Sequence, residues 1–242
     1  MRYEENIIFS KQDDKLDSYT QNYNYKNSVM GVATDYCASI FERYMAGSSV
    51  LELGPAEGVM TEIFFAKYKD YTAVEGSEKF CKLLEEKFPN ICVVNSYFEN
   101  YQPNRKFDNI ILGHVLEHVD NPVEILKLCK SWLNDGGVIL SAVPNSHSLH
   151  RQAAVLMGML QRENELNDTD KGVGHQRVYN YELLKSDFEL AGCKIKASGG
   201  YWVKSISNGQ IDEQWTREMI DAYMRLGEDY PDIAAEIYVI AE

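Results

Sequence analysis

The sequence predicts an α/β fold, a parallel sheet covered by helices on both faces. Three observations lead there. Short runs rich in Val and Ile alternate with longer segments of helical spacing along most of the 242 residues. A glycine turn, VLELGPAEG from Val50 to Gly58, directly follows the first run. A second run then ends in a carboxylate, Glu75, about twenty residues after that turn.

Strands are expected at 49–53 (SVLEL), 71–75 (YTAVE), 91–95 (ICVVN), 108–112 (DNIIL), 138–143 (VILSAV), 193–198 (CKIKAS) and 235–241 (AEIYVIA). The middle ones carry few charges, as strands covered on both faces do. Between them, MTEIFFAKY follows the first strand and SEKFCKLLEEKF the second. NPVEILKLCKSWL has helical spacing and a proline in its first turn, and Gly136 and Gly137 are expected to stop it. Two regions break the alternation. Residues 1–35, which carry several tyrosines, are expected to form an N-terminal cap, and residues 145–180 an insertion after the fifth strand that acts as a lid. With no repeat and no Pro-rich linker, residues 1–242 are expected to form a single domain.

Composition narrows the function. Hydrophobic residues make up 45% and charged residues 25%, so a sizeable core can be buried. A net charge of −13 argues against a nucleic-acid footprint and an anionic membrane surface, since both need clustered Lys and Arg. Cys37, Cys81, Cys92, Cys129 and Cys193 lack the paired spacing of a zinc site and are expected to be free thiols. No signal sequence opens the chain and no stretch is apolar enough to span a bilayer, so a cytoplasmic setting is expected. The expected partner is a small-molecule substrate, and a homodimer is left open.

The glycine turn sits where open parallel sheets bind ligands, at the carboxyl end of the first strand. Gly54 ends the strand and Gly58 opens the next helix, so a ligand can approach the backbone closely. A dinucleotide loop would place a third glycine where Ala56 stands, and a phosphate loop would carry Gly-Lys-Ser/Thr. Glu57 at the mouth and Glu52 behind it would repel a pyrophosphate. They suit a ligand with an amine and a positive centre, such as S-adenosylmethionine (SAM). Glu75 is placed to accept hydrogen bonds from two ribose hydroxyls. Gly76 lets the chain turn away, and Ser77 caps the following helix.

The series VLELGPAEG, AVEGS, FDNIILGHVLEHVDNPVEIL and LNDGGVILSAVPN resembles the class I SAM-dependent methyltransferases. The likeness is to the small-molecule branch with a His-Val-Leu-Glu-His-Val turn, over about residues 30–200. It implies a Rossmann-like, doubly wound, mostly parallel sheet of seven strands with the last antiparallel, and SAM as cofactor. It also implies that Ser96, Tyr97 and Phe98 lie near the adenine, and that His114 meets the methionine part of SAM through its backbone. Family members more often carry Asp and Gly where this chain has Glu52, Pro55 and Ala56.

Methyl transfer from a sulfonium needs alignment, exclusion of water and sometimes removal of a proton. His175, in the GVGHQRVYN loop, is the first choice of base, with His118 the second. Arg151, Arg177, Tyr179, Tyr25 and Trp202 are expected to contact the substrate, a small polar metabolite, with a sugar or sugar-derived compound in view. A metal is not expected, because Asp120 and Asn145 alone are a thin ligand set. The alternative is a SAM-binding sensor or partner subunit without activity. An NAD-linked oxidoreductase is disfavoured by Ala56 and Glu57.

Overall fold

The computed structural model describes residues 28–242. Tyr25 and the other tyrosines before Ser28 lie outside the described residues. Within them, a seven-stranded sheet runs in the order β3-β2-β1-β4-β5-β7-β6. Its strands are β1 (Ser49–Leu53), β2 (Asp70–Glu75), β3 (Cys92–Asn95), β4 (Phe107–Gly113), β5 (Leu133–Pro144), β6 (Ile195–Tyr201) and β7 (Glu236–Ala241). β1 to β5 pair in parallel, and β7 runs antiparallel to both β5 and β6. The order reverses between β1 and β4, which opens a crevice at their carboxyl ends.

Two apolar layers clamp the sheet. On one face, α1 (Val29–Glu42), α2 (Val59–Phe65) and α9 (Arg217–Asp229) bury Phe41, Phe64 and Met224 against Val50, Ile111 and Leu140. On the other, α4 (Pro122–Trp132) and α7 (Tyr181–Leu190) bury Leu126, Trp132 and Phe188 against Leu51, Ile110 and Ile139. Consecutive strand residues thus feed opposite layers, the period-two alternation of a pleated strand. Each fully buried Leu or Phe contributes about 1.5–3 kcal/mol from water exclusion.

The helix starts follow local chemistry. Ser77 accepts from the Phe80 N–H to cap α3 (Glu78–Lys87), and Asn121 accepts from the Glu124 N–H ahead of Pro122 in α4. Asn180 caps α7 through the Leu183 N–H. The insertion holds α5 (Leu149–Leu156) and the short α6 (Asp168–Gly172). The helix α8 (Asn208–Gln214) precedes α9.

Two boundaries depart from the sequence reading. The helix α4 ends at Trp132, before the glycines, and β5 begins at once. Leu133 pairs with Phe107, then the register jumps so that Val138 faces Asn109. Residues 134–137 form the resulting bulge, with Gly136 at φ 77°. The sixth strand starts at Ile195 and runs on through Gly199 and Gly200 to Tyr201. These glycines pass close to Tyr238 and Pro231, where a side chain would collide. No helix of the described residues is long and apolar enough to cross a membrane.

Candidate active site

The turn after β1 is left-handed at Gly54 (φ 63°), Ala56 (φ 48°) and Gly58 (φ 77°). A Cβ on Gly54 would come within 3.2 Å of Val115 and 3.4 Å of Phe98, and one on Gly58 within 2.8 Å of Leu84 and Phe88. Ala56 is a non-glycine residue in a costly region, held there by its surroundings. Its N–H donates to Glu75 Oε2 at 3.1 Å, while the Ser77 N–H donates to Glu75 Oε1 at 2.9 Å. One buried carboxylate thus ties the first loop to the end of the second strand.

Glu52 does different work. Thr61 donates to its Oε2 at 2.5 Å and Tyr71 to the same oxygen at 2.7 Å, beneath the loop. Burial, opposed by these two hydrogen bonds, lifts its carboxyl to about 7. Glu57 lies at the partly exposed mouth, and Lys87 donates to its carbonyl. Asn95 donates to the carbonyls of Glu75 and Gly76 at 3.0 and 3.1 Å, fastening β3 to the loop after β2. Ser96 donates to the Tyr97 carbonyl at 2.8 Å, and Phe98 closes over Gly54 from a 3-10 turn (Phe98–Asn100). Glu75, through the Ala56 N–H, and Phe98, against Gly54, therefore meet the loop at the end of β1.

The other wall is the turn after β4. His114 is left-handed (φ 59°), and its N–H donates to the Ala142 carbonyl at 2.9 Å, so that N–H is not free for a ligand. Its ring meets carboxylates instead. Nδ1 lies 3.4 Å from Glu117 Oε1 and 3.9 Å from Glu236 Oε2, and Nε2 lies 3.5 Å from the Tyr201 hydroxyl. Burial would lower its pKa, but Glu236 and Glu117 outweigh burial and hold it up at about 9. The Glu236 carboxyl is pushed up to about 6 by burial, against the pull of His114 and Lys204. Lys204, half-buried with its Nζ over the Trp202 ring, is pushed down to about 8 by desolvation.

Glu117 is wholly buried, and neither carboxylate oxygen accepts a hydrogen bond. Burial alone would raise its pKa, but the neighbouring histidines, His114 first, hold it below the usual range. His118 stacks edge-on against His175 with ring centroids 4.7 Å apart. Burial pushes His118 down to about 4, so its imidazole is neutral at pH 7.

The loop carrying His175 is clasped onto this turn. The Gln176 N–H donates to the Glu117 carbonyl at 2.8 Å, and its side chain donates to the His118 carbonyl and to Asp120. Arg177 donates to the carbonyls of Leu116, Val119 and Asp120. His175 Nδ1 is then 3.3 Å from Asp170 Oδ1, and Arg151 donates to Asp170 Oδ2 at 3.1 Å.

The expected substrate contacts are placed differently. Arg177 is spent on backbone carbonyls. Arg151 is buried, donating to Asp170 and to the carbonyls of Glu163 and Glu165. Tyr179 is fully buried, and its hydroxyl donates to Asp187 at 2.8 Å. Trp202 is also in the core, under α9, where its backbone N–H donates to the Met224 carbonyl. Asn145 donates to the carbonyls of Asp232 and Ala234. Sequence reasoning missed Glu117 and Glu236. A glutamate amid the apolar residues of HVLEHV, and one opening an otherwise apolar last strand, were the available signals.

Residues 29–198 match a family described as methyltransferase domain. A ubiquinone biosynthesis O-methyltransferase of Idiomarina loihiensis is 27% identical over 148 residues, 57% of this chain and 59% of that protein. A (S)-coclaurine N-methyltransferase of Papaver somniferum is 30% identical over 102 residues, 38% of this chain and 28% of that protein. The chain thus covers less than two thirds of either relative. Among solved structures, a SAM-dependent methyltransferase from Mesorhizobium loti superposes with a TM-score of 0.64 at 15% identity, over 88% of this chain and 99% of that one. The plantazolicin methyltransferase BpumL, in complex with a monoazolic desmethylPZN analogue and SAH, gives 0.60 at 14% identity, over 96% of this chain and 91% of that one.

Proposed function

The chain belongs to the methyltransferase domain family, and from that premise we propose that it moves a methyl group from SAM to an oxygen or nitrogen atom of a small polar molecule. Its cofactor is SAM. The observation that carries the reading is the Glu75 carboxylate, buried at the switch point and bound to both the first loop and Ser77. A carboxylate there accepts from ribose hydroxyls, while the Gly54, Ala56 and Gly58 N–H groups of the loop are already taken by Val74, Glu75 and Pro55. Phe98 covers the cleft from the side where the base would stack.

The acceptor meets the methyl group at the far wall, where Glu117, His118 and His175 converge. Its lone pair forms the bond to the methyl carbon, the carbon–sulfur bond breaks, and the electron pair returns to sulfur. The acceptor's proton leaves at this histidine and carboxylate cluster. The chain's part is to align the two reactants and keep water out, and the lid segment 145–180 supplies the closing side. Trp202, one of the residues on which a sugar-shaped site would rest, is a core residue, and the N-terminal tyrosines lie outside the described residues.

Incubation with methyl-labelled SAM and a metabolite extract tests this reading. A labelled small molecule is expected. SAM binding with no labelled product in any fraction would instead make the chain a SAM-binding sensor.

A further inference from the structure

We infer that Glu117, His118 and His175 form a binding site for a divalent transition-metal cation of the zinc type. One donor atom from each lies within 4.8 Å of the others. Two imidazoles and a carboxylate are a borderline ligand set, which favours zinc-like cations over magnesium or calcium. Three protein ligands leave a coordination position open.

The independent sign is Glu117 itself. It has no solvent exposure, and neither oxygen accepts a hydrogen bond, although one sits 3.4 Å from His114 Nδ1. Its contact with His114 uses Oε1 alone, so the buried Oε2 is left without a partner, a position that a bound cation would satisfy. Bonds of about 2.0–2.1 Å would draw the ligands of a tetrahedral centre to roughly 3.4 Å apart, closer than the 4.8 Å within which they lie here.

The surroundings are those of a supported ligand set. Asp170 Oδ1 faces His175 Nδ1 at 3.3 Å, which leaves Nε2 as the ligand atom. Arg151 and the Asn167 N–H hold Asp170 in turn. Gln176 and Arg177 fasten the two halves of the site, 57 residues apart for His118 and His175, through the backbone. The open position would face the wall assigned above to the acceptor, so its natural occupant is an acceptor hydroxyl. A cation would lower that hydroxyl's pKa so that its proton passes to solvent, and in the metal-bound state the two histidines serve as ligands rather than as base. That role rests on the methyl-transfer reading, whereas binding of the cation does not.

Chelator-treated full-length protein, titrated with zinc chloride by calorimetry and with cobalt(II) by visible absorption, tests the site. One cation per chain is expected. Affinity should fall at least 100-fold in Glu117→Gln and in His175→Ala, each checked for folding by circular dichroism, and stay unchanged in His147→Ala, an exposed histidine paired with Glu163. No binding overturns the inference, as does binding that survives in both variants. SAM titration alongside separates the two ideas. SAM binding without metal binding overturns this inference alone, and metal binding without SAM binding overturns only the methyl-transfer reading.

Discussion

His175 Nδ1 lies 3.3 Å from Asp170 Oδ1, inside a chain of contacts that begins at Arg151 in the insertion and ends at the turn after the fourth strand. The insertion therefore reaches the turn after the fourth strand. It sets the ring of the histidine that faces Glu117 and His118.

Asp170→Asn tests that link. The variant keeps the shape but loses the charge behind the ring. Turnover should fall by about 10- to 100-fold, the usual cost of losing such an orienting partner. SAM affinity, measured by calorimetry, should barely move. A parallel loss of both would mean that Asp170 only holds the fold.

His175→Ala carries a related expectation. Turnover should drop about 100-fold or more while SAM affinity stays within a factor of about three. Unchanged turnover would remove His175 from the chemistry and leave the neighbouring turn to act without it.

Glu52 gives stability a pH signature. Its carboxyl titrates near 7 in the folded chain, against 4.5 when exposed. Between those values the folded state holds a proton that the unfolded state has released. Stability is therefore highest below the lower value and declines as pH rises to about 7, by roughly 3 kcal/mol at most. Denaturant unfolding of Glu52→Gln across this window should lack that decline. Curves parallel to wild type would contradict the assignment.

Gly227 tests the packing beneath the site. It lies in α9 against the backbone of Tyr201 and Trp202, where an added Cβ would come within 2.2 Å of the Trp202 nitrogen. Backbone cannot yield as a flexible side chain does, so Gly227→Ala should cost about 3 kcal/mol. A thermal midpoint equal to wild type would show that α9 shifts freely.

The sheet was legible because its signals are local. Alternating apolar runs, the Ser77 cap and the Asn121-Pro122 start each depend on a few neighbouring residues. Glu75 was legible for the same reason, as a carboxylate at a strand end a fixed distance from a glycine turn. Tyr179, Trp202 and Arg151 were not. Their side chains suit both a cleft and a core, and only the tertiary packing decides which. Glu117 with His175 was hidden more deeply, because nothing between residues 117 and 175 tells that the later loop folds back and binds the earlier turn through Gln176 and Arg177. The bulge at 134–137 was misread as a plain helix stop, since a glycine pair serves either purpose.

Titration of the protein with SAM, in wild type and in Glu75→Ala, tests the central claim most directly. The variant removes charge-assisted hydrogen bonds worth about 1.5–3 kcal/mol each and releases the Ala56 and Ser77 amides. Wild type should bind one SAM per chain, and the variant about 10- to 100-fold more weakly. No binding by wild type, or equal binding by both, would contradict the account.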